Sequence, residues 1–462
     1  MKKTYLKYVM RTFAFTLLCL STLGYAQDER KLRPVSRSYA ITQATIVQEP
    51  GRKIEKGTVL IKDGLITAVG PSLSIPPGAI QIKGDSLFVY AGFIDGLTRA
   101  GVSRPKDDIT KEKAKDPGNP SPERAGITPQ NDVRNFLNPG DKLVEELRSL
   151  GFTTAHVVPH GGMLPGCGSV IFLGGSTADE MVVVSKSSLY SELAVADRVY
   201  PNTVIGVMAK WRELYRQASL TKSYESTYAS NRTGIDRPST DRVLEAFYPV
   251  IDKKIPVLFR AEKALDLQRV LALQKDLGFS LIAVNLREGW DVIPKIKSSG
   301  AKVFLSLELP EEKKEEKKED KTSESPFTDS LERKALEKRR LDFVALHAGQ
   351  AAAFQKAGVP FGFSTHSSKT KDIISNLRRM IRAGLTEDQA LAALTTSPAS
   401  LLGLSDRLGS IDTGKVANVV ISRRPFFDEK SRVQYVFVDG VMYKIDQKDN
   451  EKASVEKKAD KP

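Results

Sequence analysis

Lone-pair chemistry near neutral pH needs histidine, cysteine or paired carboxylates, and this chain is poor in the first two. Its histidines are His156, His160, His347 and His366, and its cysteines are Cys19 and Cys167. No two histidines form a His-x-His pair. His156 and His160 lie four apart, a spacing that shares a face only on a helix. Here the β-like run 153–158 enters Pro159 and Gly161-Gly162, so the two side chains need not converge and read as ordinary polar loop residues near a strand end. Cys167 follows His160 by seven residues within a glycine-rich stretch, 161–175. A cysteine–histidine nucleophile needs both groups in hydrogen-bond reach and an oxyanion hole; nothing in the pattern supplies them, and an inert thiol is expected. Those glycines lack the Gly-Lys-Ser/Thr ending of a phosphate loop and precede a strand, so they read as tight turns. His347 sits in a helical pattern with Leu346, Ala348, Ala351 and Ala352, and Trp211, Tyr215 and Trp290 read as packing residues.

The elements that must position such residues fall into two textures. Residues 39–91 alternate short β-branched runs with glycine turns, and Asp63-Gly64 between two such runs signals a hairpin. Residues 408–444 have the same character, including Asp439-Gly440, so two β pieces from opposite ends of the chain are expected to share one small domain. The middle, 92–403, reads as strands at 93–95, 153–158, 257–261, 281–285, 303–307 and 361–365. Helices are expected at 142–150, 265–277, 290–298 and 331–357. That rhythm predicts a parallel β/α array of a length that suits an eight-fold barrel; the strands between 160 and 256 stay unassigned. Thr386 with Gln389 three residues on predicts a capped helix start, and Ser397-Pro398 predicts another.

Composition bounds the rest. The chain has 462 residues, 40% of them hydrophobic and 27% charged, enough for more than one domain with a large core. Residues 1–12 are basic, 13–23 are apolar but short, and Gly24-Tyr25-Ala26 offers small residues before Gln27. This predicts a secretory signal peptide removed after Ala26, and a periplasmic or secreted product with no membrane attachment. Its loss leaves Cys167 without a disulfide partner, and 66 basic against 56 acidic groups. That mild excess, with no basic patch interleaved with aromatics, does not call for nucleic acid. The segment 310–330 mixes acid and base in blocks, and 447–462 is a charged tail; both read as solvated spacers. The domain reading is therefore a signal at 1–26, a composite β domain from 27–91 with 404–446, a barrel over 92–403, and a tail.

Four stretches together resemble the amidohydrolase superfamily, and most closely its imidazolonepropionase-like exported members. Residues 57–70 (GTVLIKDGLITAVG) look like the opening hairpin of that family's β-sandwich. Ala91-Gly92-Phe93-Ile94-Asp95 looks like the motif entering its first barrel strand. Residues 384–403 and 408–421 look like its last helices and the return to the sandwich, with Asn418 where the family usually has Asp. The fold implied is α/β, a distorted (β/α)8 TIM-type barrel plus a small β-sandwich domain built from both ends of the chain. The activity implied is hydrolysis of non-peptide C–N bonds, amides and lactams, by a zinc or other divalent metal that activates water.

Mapped residue by residue, the family's metal ligands are replaced. The His-x-His after the first strand becomes Leu97 and Arg99, close behind Asp95. The histidines ending strands five and six become Arg260 and Asn285, and the aspartate after strand eight becomes His366. Leucine has no donor, and arginine is protonated at any accessible pH and offers no lone pair. A guanidinium about 5 Å from a divalent ion, at an effective dielectric of about 20, costs on the order of 7 kcal/mol. No metal cofactor is expected. Two readings of the mouth stay open. Arg99, Arg260 and His366 converge with Asn285 on a small anionic ligand; or each arginine pairs with a nearby acid, such as Asp95 or Glu262, and fills the old cavity. The expectation for function is a non-catalytic exported member that binds a ligand, or that pairs as a homo-oligomer or with an intact amidohydrolase relative. The alternative is a hydrolase with an atypical, metal-free site that uses His366 as acid and base.

Overall fold

Two Asp-Gly dipeptides organise the ends of the chain. The computed structural model describes residues 37–104, 113–312 and 330–445; the expected signal peptide, most of the charged segment 310–330 and the tail lie outside them. Strand β1 (Tyr39–Glu49) turns back into β2 (Arg52–Lys62), and β2 turns into β3 (Leu65–Gly70) through Asp63-Gly64, both at positive φ. Such a turn matches the right-handed twist of the flanking strands, and Gly and Asp enter it at least cost. Strands β4 (Ile80–Lys83) and β5 (Phe88–Ala91) then pair in parallel with β1. From the other end of the chain come β14 (Val419–Ser422), β15 (Val433–Val438) and β16 (Val441–Lys444), the last two joined by Asp439-Gly440. Strand β14 pairs antiparallel with β5, Val419 opposite Ala91. The eight strands make one sheet in the order β16-β15-β14-β5-β1-β2-β3, with β4 beside β1. Ile41, Ile46, Val59, Val89, Val419 and Phe437 close a core from both ends of the sequence.

A second eight-stranded sheet forms the barrel. In order it runs β6 (Phe93–Thr98), β7 (Phe152–Val157), β8 (Gly166–Phe172), β9 (Val182–Glu192), β10 (Val257–Arg260), β11 (Leu281–Leu286), β12 (Lys302–Ser306) and β13 (Phe361–Ser364). The gap between last and first is bridged by side chains: Ser364 Oγ donates to the Leu97 carbonyl at 3.0 Å, and the Thr365 N–H donates to Asp95 at 3.0 Å. The helices longer than two turns or so are α1 (Lys142–Ser149), α2 (Val204–Ser230), α3 (Ala264–Leu277), α4 (Ile293–Ser299), α5 (Ser330–Lys356), α6 (Ile373–Arg382), α7 (Glu387–Leu394) and α8 (Thr396–Leu401). All six strands read from the sequence are present. The two in the unassigned region are β8 and β9, and β8 departs from the expected parallel pattern by pairing antiparallel with both neighbours. The reason is length. Residues 158–165 and 173–181 are too few for a parallel crossover, which needs a dozen or more.

The marked helix starts fare differently. Thr386 accepts from the Gln389 N–H as expected, but its own N–H goes to Gln355 of α5, so the cap also ties two helices. Helix α8 begins at Thr396, ahead of Ser397-Pro398, with Thr395 as a cap whose hydroxyl bonds back to the Leu391 carbonyl. Pro398 is still tolerated, because first-turn N–H groups have no intrahelical partner.

The barrel interior is packed by Leu97, Val158, Tyr190, Leu258, Ile282, Val284 and Phe304. Outside it, Trp211 of α2 stacks among Tyr215, Phe247, Phe259 and Phe279, with its Nε1–H on Ser191, so its reading as a packing residue holds. Phe304 explains two glycines inside strands: a Cβ on Gly96 or Gly362 would fall within its ring. A Gly96→Ala variant is therefore expected to lose about 3 kcal/mol in urea unfolding, and Phe304→Leu in that background to recover part of it. A loss under about 0.5 kcal/mol would mean that this packing does not constrain the interior.

Candidate functional site

Alternation along the strands puts Tyr190 and Glu192 of β9, and Leu258 and Arg260 of β10, on the inward face. Register places Arg260 beside Glu192. Arg260 donates through Nη1 to Glu192 at 2.7 Å and through Nη2 to Glu262. Arg99, one residue past β6, donates to the other Glu192 oxygen at 2.8 Å, and the Tyr190 hydroxyl to that same oxygen at 2.9 Å. Arg287 extends the series, 3.8 Å from Glu262 and 3.3 Å from Glu308. The result is an alternating chain of six charges, Arg99–Glu192–Arg260–Glu262–Arg287–Glu308, across the strand ends. Burial opposes the charge on Arg260, but the carboxylates of Glu192 and Glu262 outweigh it and hold the guanidinium more firmly protonated than usual.

The other sequence-selected positions are distributed around this chain. Asp95 is fully buried and pairs with no arginine. It accepts from the N–H of Leu97 and Thr365 and from the Thr365 hydroxyl. Burial raises its pKa to about 7 against those three donors. Leu97 points into the barrel core. At Asn285 the β11–β12 register slips and φ is +61°, a conformation asparagine tolerates better than most residues. Its amide donates to Glu262 and to Ser367, so its N–H groups are engaged within the protein. His366 follows β13; burial, then the nearby Arg99, Arg260 and His160, lower its pKa to about 3, so the ring is neutral.

Of the two open readings of the mouth, then, both arginines are ion-paired. The partners are Glu192 and Glu262, not Asp95. Glu192, which holds both, was not singled out because it ends the strand that could not be assigned. Nevertheless the mouth is not filled. A cavity of about 220 Å³ lies beside Arg99, Arg104, His160, Thr365, His366 and Ser368, with Leu143 and Leu147 of α1 on its apolar side. Arg99 Nε, His366 Nδ1 and Ser368 Oγ are buried with no hydrogen-bond partner. His160 therefore belongs to the cavity wall, its Nε2 against the Val102 carbonyl at 3.2 Å, where the sequence suggested only a polar loop residue. His156 is not in a loop at all: it is buried in β7 between Ser187 and Ser188, its pKa lowered to about 4 by burial. Cys167 is buried, its thiol on the Pro129 carbonyl and its pKa raised to about 11, chiefly by burial. His347 bonds the Phe343 carbonyl within α5.

The residues at the ligand positions do not fit a divalent metal. Of the five that the resemblance assigns, two are guanidinium groups, one is aliphatic, one is an amide and only His366 offers an imidazole. Among the described residues no three histidine, cysteine, aspartate or glutamate side chains gather where they could hold an ion.

Comparison with known proteins follows the same lines. A model of the amidohydrolase family matches residues 314–442. Amidohydrolase tasK of Hapsidospora irregularis is 22% identical over 401 residues, covering 79% of this chain; the chain spans only 37% of that protein's length. Among solved structures, an amidohydrolase from Thermotoga maritima MSB8 superposes with a TM-score of 0.69 at 23% identity, over 88% of this chain and all of the other. A Xaa-Pro dipeptidase with bound methionine in its active site superposes with a TM-score of 0.51 at 14% identity, over 88% of this chain and all of the other. At these identities the likeness is one of fold.

Two outcomes test this geometry. Glu192→Gln should cost about 3 kcal/mol in urea unfolding, since it strips two partly buried cations of a carboxylate. Replacing Arg99, Glu192 and Arg260 together by methionine should restore much of that, whereas a single variant as stable as wild type would show the network to be slack. The second outcome concerns pH. The folded state keeps the Asp95 proton up to about pH 7, while an ordinary carboxylate loses it near 3.8. Wild-type stability relative to Asp95→Asn should therefore fall as pH rises from about 4 to about 7, by about 4 kcal/mol, and stay level above that. A pH-independent difference would contradict it.

Proposed function

We propose that this chain, an amidohydrolase superfamily member by its family match, its relative and its fold, is a non-catalytic barrel that binds a small anionic ligand at its mouth. One observation carries the reading: Arg99 Nε, His366 Nδ1 and Ser368 Oγ, from three residues of one cavity wall, are buried and unpartnered among the described residues. Buried polar groups are costly to leave unsatisfied, and here a ligand would complete them. Arg99 and Arg104 make the wall cationic, which favours an anion. Export through the segment 1–26 would put this barrel in the periplasm, among small solutes.

Turnover is the weaker reading. A general base works best with a pKa near the operating pH, and His366, lowered to about 3, is far from it. Asp95 lies closer in pKa but is sealed from solvent, its carboxylate engaged by three donors. The metal that would activate water in relatives has no donor set at Leu97, Arg99, Arg260 and Asn285.

Thermal unfolding in the presence of phosphate, sulfate, acetate and butyrate tests the proposal. At about a hundred times its dissociation constant, at least one of these should stabilise the protein by about 2.7 kcal/mol, and Ser368→Leu, which narrows the cavity, should abolish the effect. Elemental analysis should find divalent metal well below one equivalent. Stoichiometric zinc, manganese or iron, or chelator-sensitive amide hydrolysis, would replace this reading with that of a conventional enzyme.

A further inference from the structure

The charges around the mouth define what kind of anion fits. Arg99, Arg260 and Arg287 are each held by glutamate, in a chain that ends on Glu308 and balances itself. Arg104, in the cavity wall, has no carboxylate partner among the described residues. Among the described residues one positive charge is thus left over on the polar side, on an exposed side chain. His160 and His366 add none, because burial lowers the pKa of both. Asp95, below the cavity, is closed off by Thr365. The aliphatic part of the lining is Leu143 and Leu147. The volume, about 220 Å³, equals that of about seven waters.

We propose that the cavity takes a small aliphatic monocarboxylate, its head group against Arg104 and the free Nε–H of Arg99 and its tail against Leu143 and Leu147. The proposal rests on the anion-binding reading and narrows it to a class. A dianion such as phosphate would bring one charge more than the wall offers, and would leave two leucines facing a hydrated group. A carboxylate matches the single surplus charge, accepts from Arg99, and leaves room for a tail of about four carbon atoms.

Calorimetric titration of the full-length protein with acetate, butyrate, butyramide and phosphate separates the outcomes. Butyrate should bind tightest, each methylene beyond acetate contributing about fourfold. Butyramide, which has the tail without the charge, should bind at least about tenfold more weakly. Arg104→Ala should weaken butyrate about tenfold with little change in the melting temperature of the free protein, because Arg104 is exposed and holds no ion pair among the described residues. Leu143→Ser should erase the preference of butyrate over acetate while leaving acetate binding in place. Phosphate binding tighter than butyrate would overturn the monocarboxylate class but leave an anion site standing. Butyramide binding as well as butyrate, or no binding by any of the three anions, would overturn the anion reading itself.

Discussion

One carboxylate between two guanidinium groups governs the mouth of this barrel. Glu192 gives one oxygen to Arg99 and the other to Arg260, so a single side chain of β9 joins the first and fifth barrel strands. Without it Arg260 would keep only Glu262 and Arg99 would have no carboxylate partner among the described residues, and an uncompensated charge in such a place costs several kcal/mol. The gain is in alignment more than in net stability. Desolvating six charges largely offsets their attraction, and an apolar replacement of the set would do as well in energy. What apolar residues would not do is fix the directions of the guanidinium planes. A planar fork held at its Nη atoms presents its Nε–H in a definite place, and at Arg99 that place is beside a cavity.

The cavity itself follows from how the strands end. Below it, Leu97, Leu258, Val284 and Phe304 fill the barrel in the ordinary manner, and Gly96 and Gly362 make room for the Phe304 ring. Above it, the ionic chain spans β6 and the ends of β9 to β12. At the first-strand arginine and the loop after β13, Arg99 Nε, His366 Nδ1 and Ser368 Oγ have no hydrogen-bond partner among the described residues. Asp95 lies at the seam where β13 returns to β6 and is used up in closing it. Its three donors come from Leu97 and Thr365. Its carboxylate is a joint in the fold, which is why it does not reach the arginines.

Much of this could be read from residue order alone, for a physical reason. Inward-facing positions obey a period of two, and strands that end in Arg260, Asn285 and His366 announce what they deliver to the mouth. The hairpins at Asp63-Gly64 and Asp439-Gly440 are equally local, because two residues settle the turn. The parts that were not legible depend on partners distant in the chain. Glu192 closes the run 182–192, whose burial pattern changes halfway from half-exposed to buried, so neither alternation nor a continuous apolar stretch marks it. Strand β8 opens on Gly-Cys-Gly-Ser and runs against its neighbours, a consequence of short connections that composition does not reveal. The pairing of Asp95 was misjudged because electrostatic attraction to an arginine competes with three donors already fixed by the backbone and Thr365, and the fixed donors win.

The division between what is packed and what is paired bears on how such a barrel can change its use. The charged and polar groups of the mouth, Arg99, Glu192, Arg260, Glu262 and His366, belong to none of the hydrophobic clusters around Trp211, around Phe304 or in the β domain. Strand ends can therefore carry guanidinium groups at little cost to the core, provided that each charge finds a counter-charge within the same rim. Glu192 and Glu262 meet that condition for Arg99 and Arg260. Arg104 finds no such partner among the described residues, but it is exposed, so water can compensate its charge and the rim does not have to.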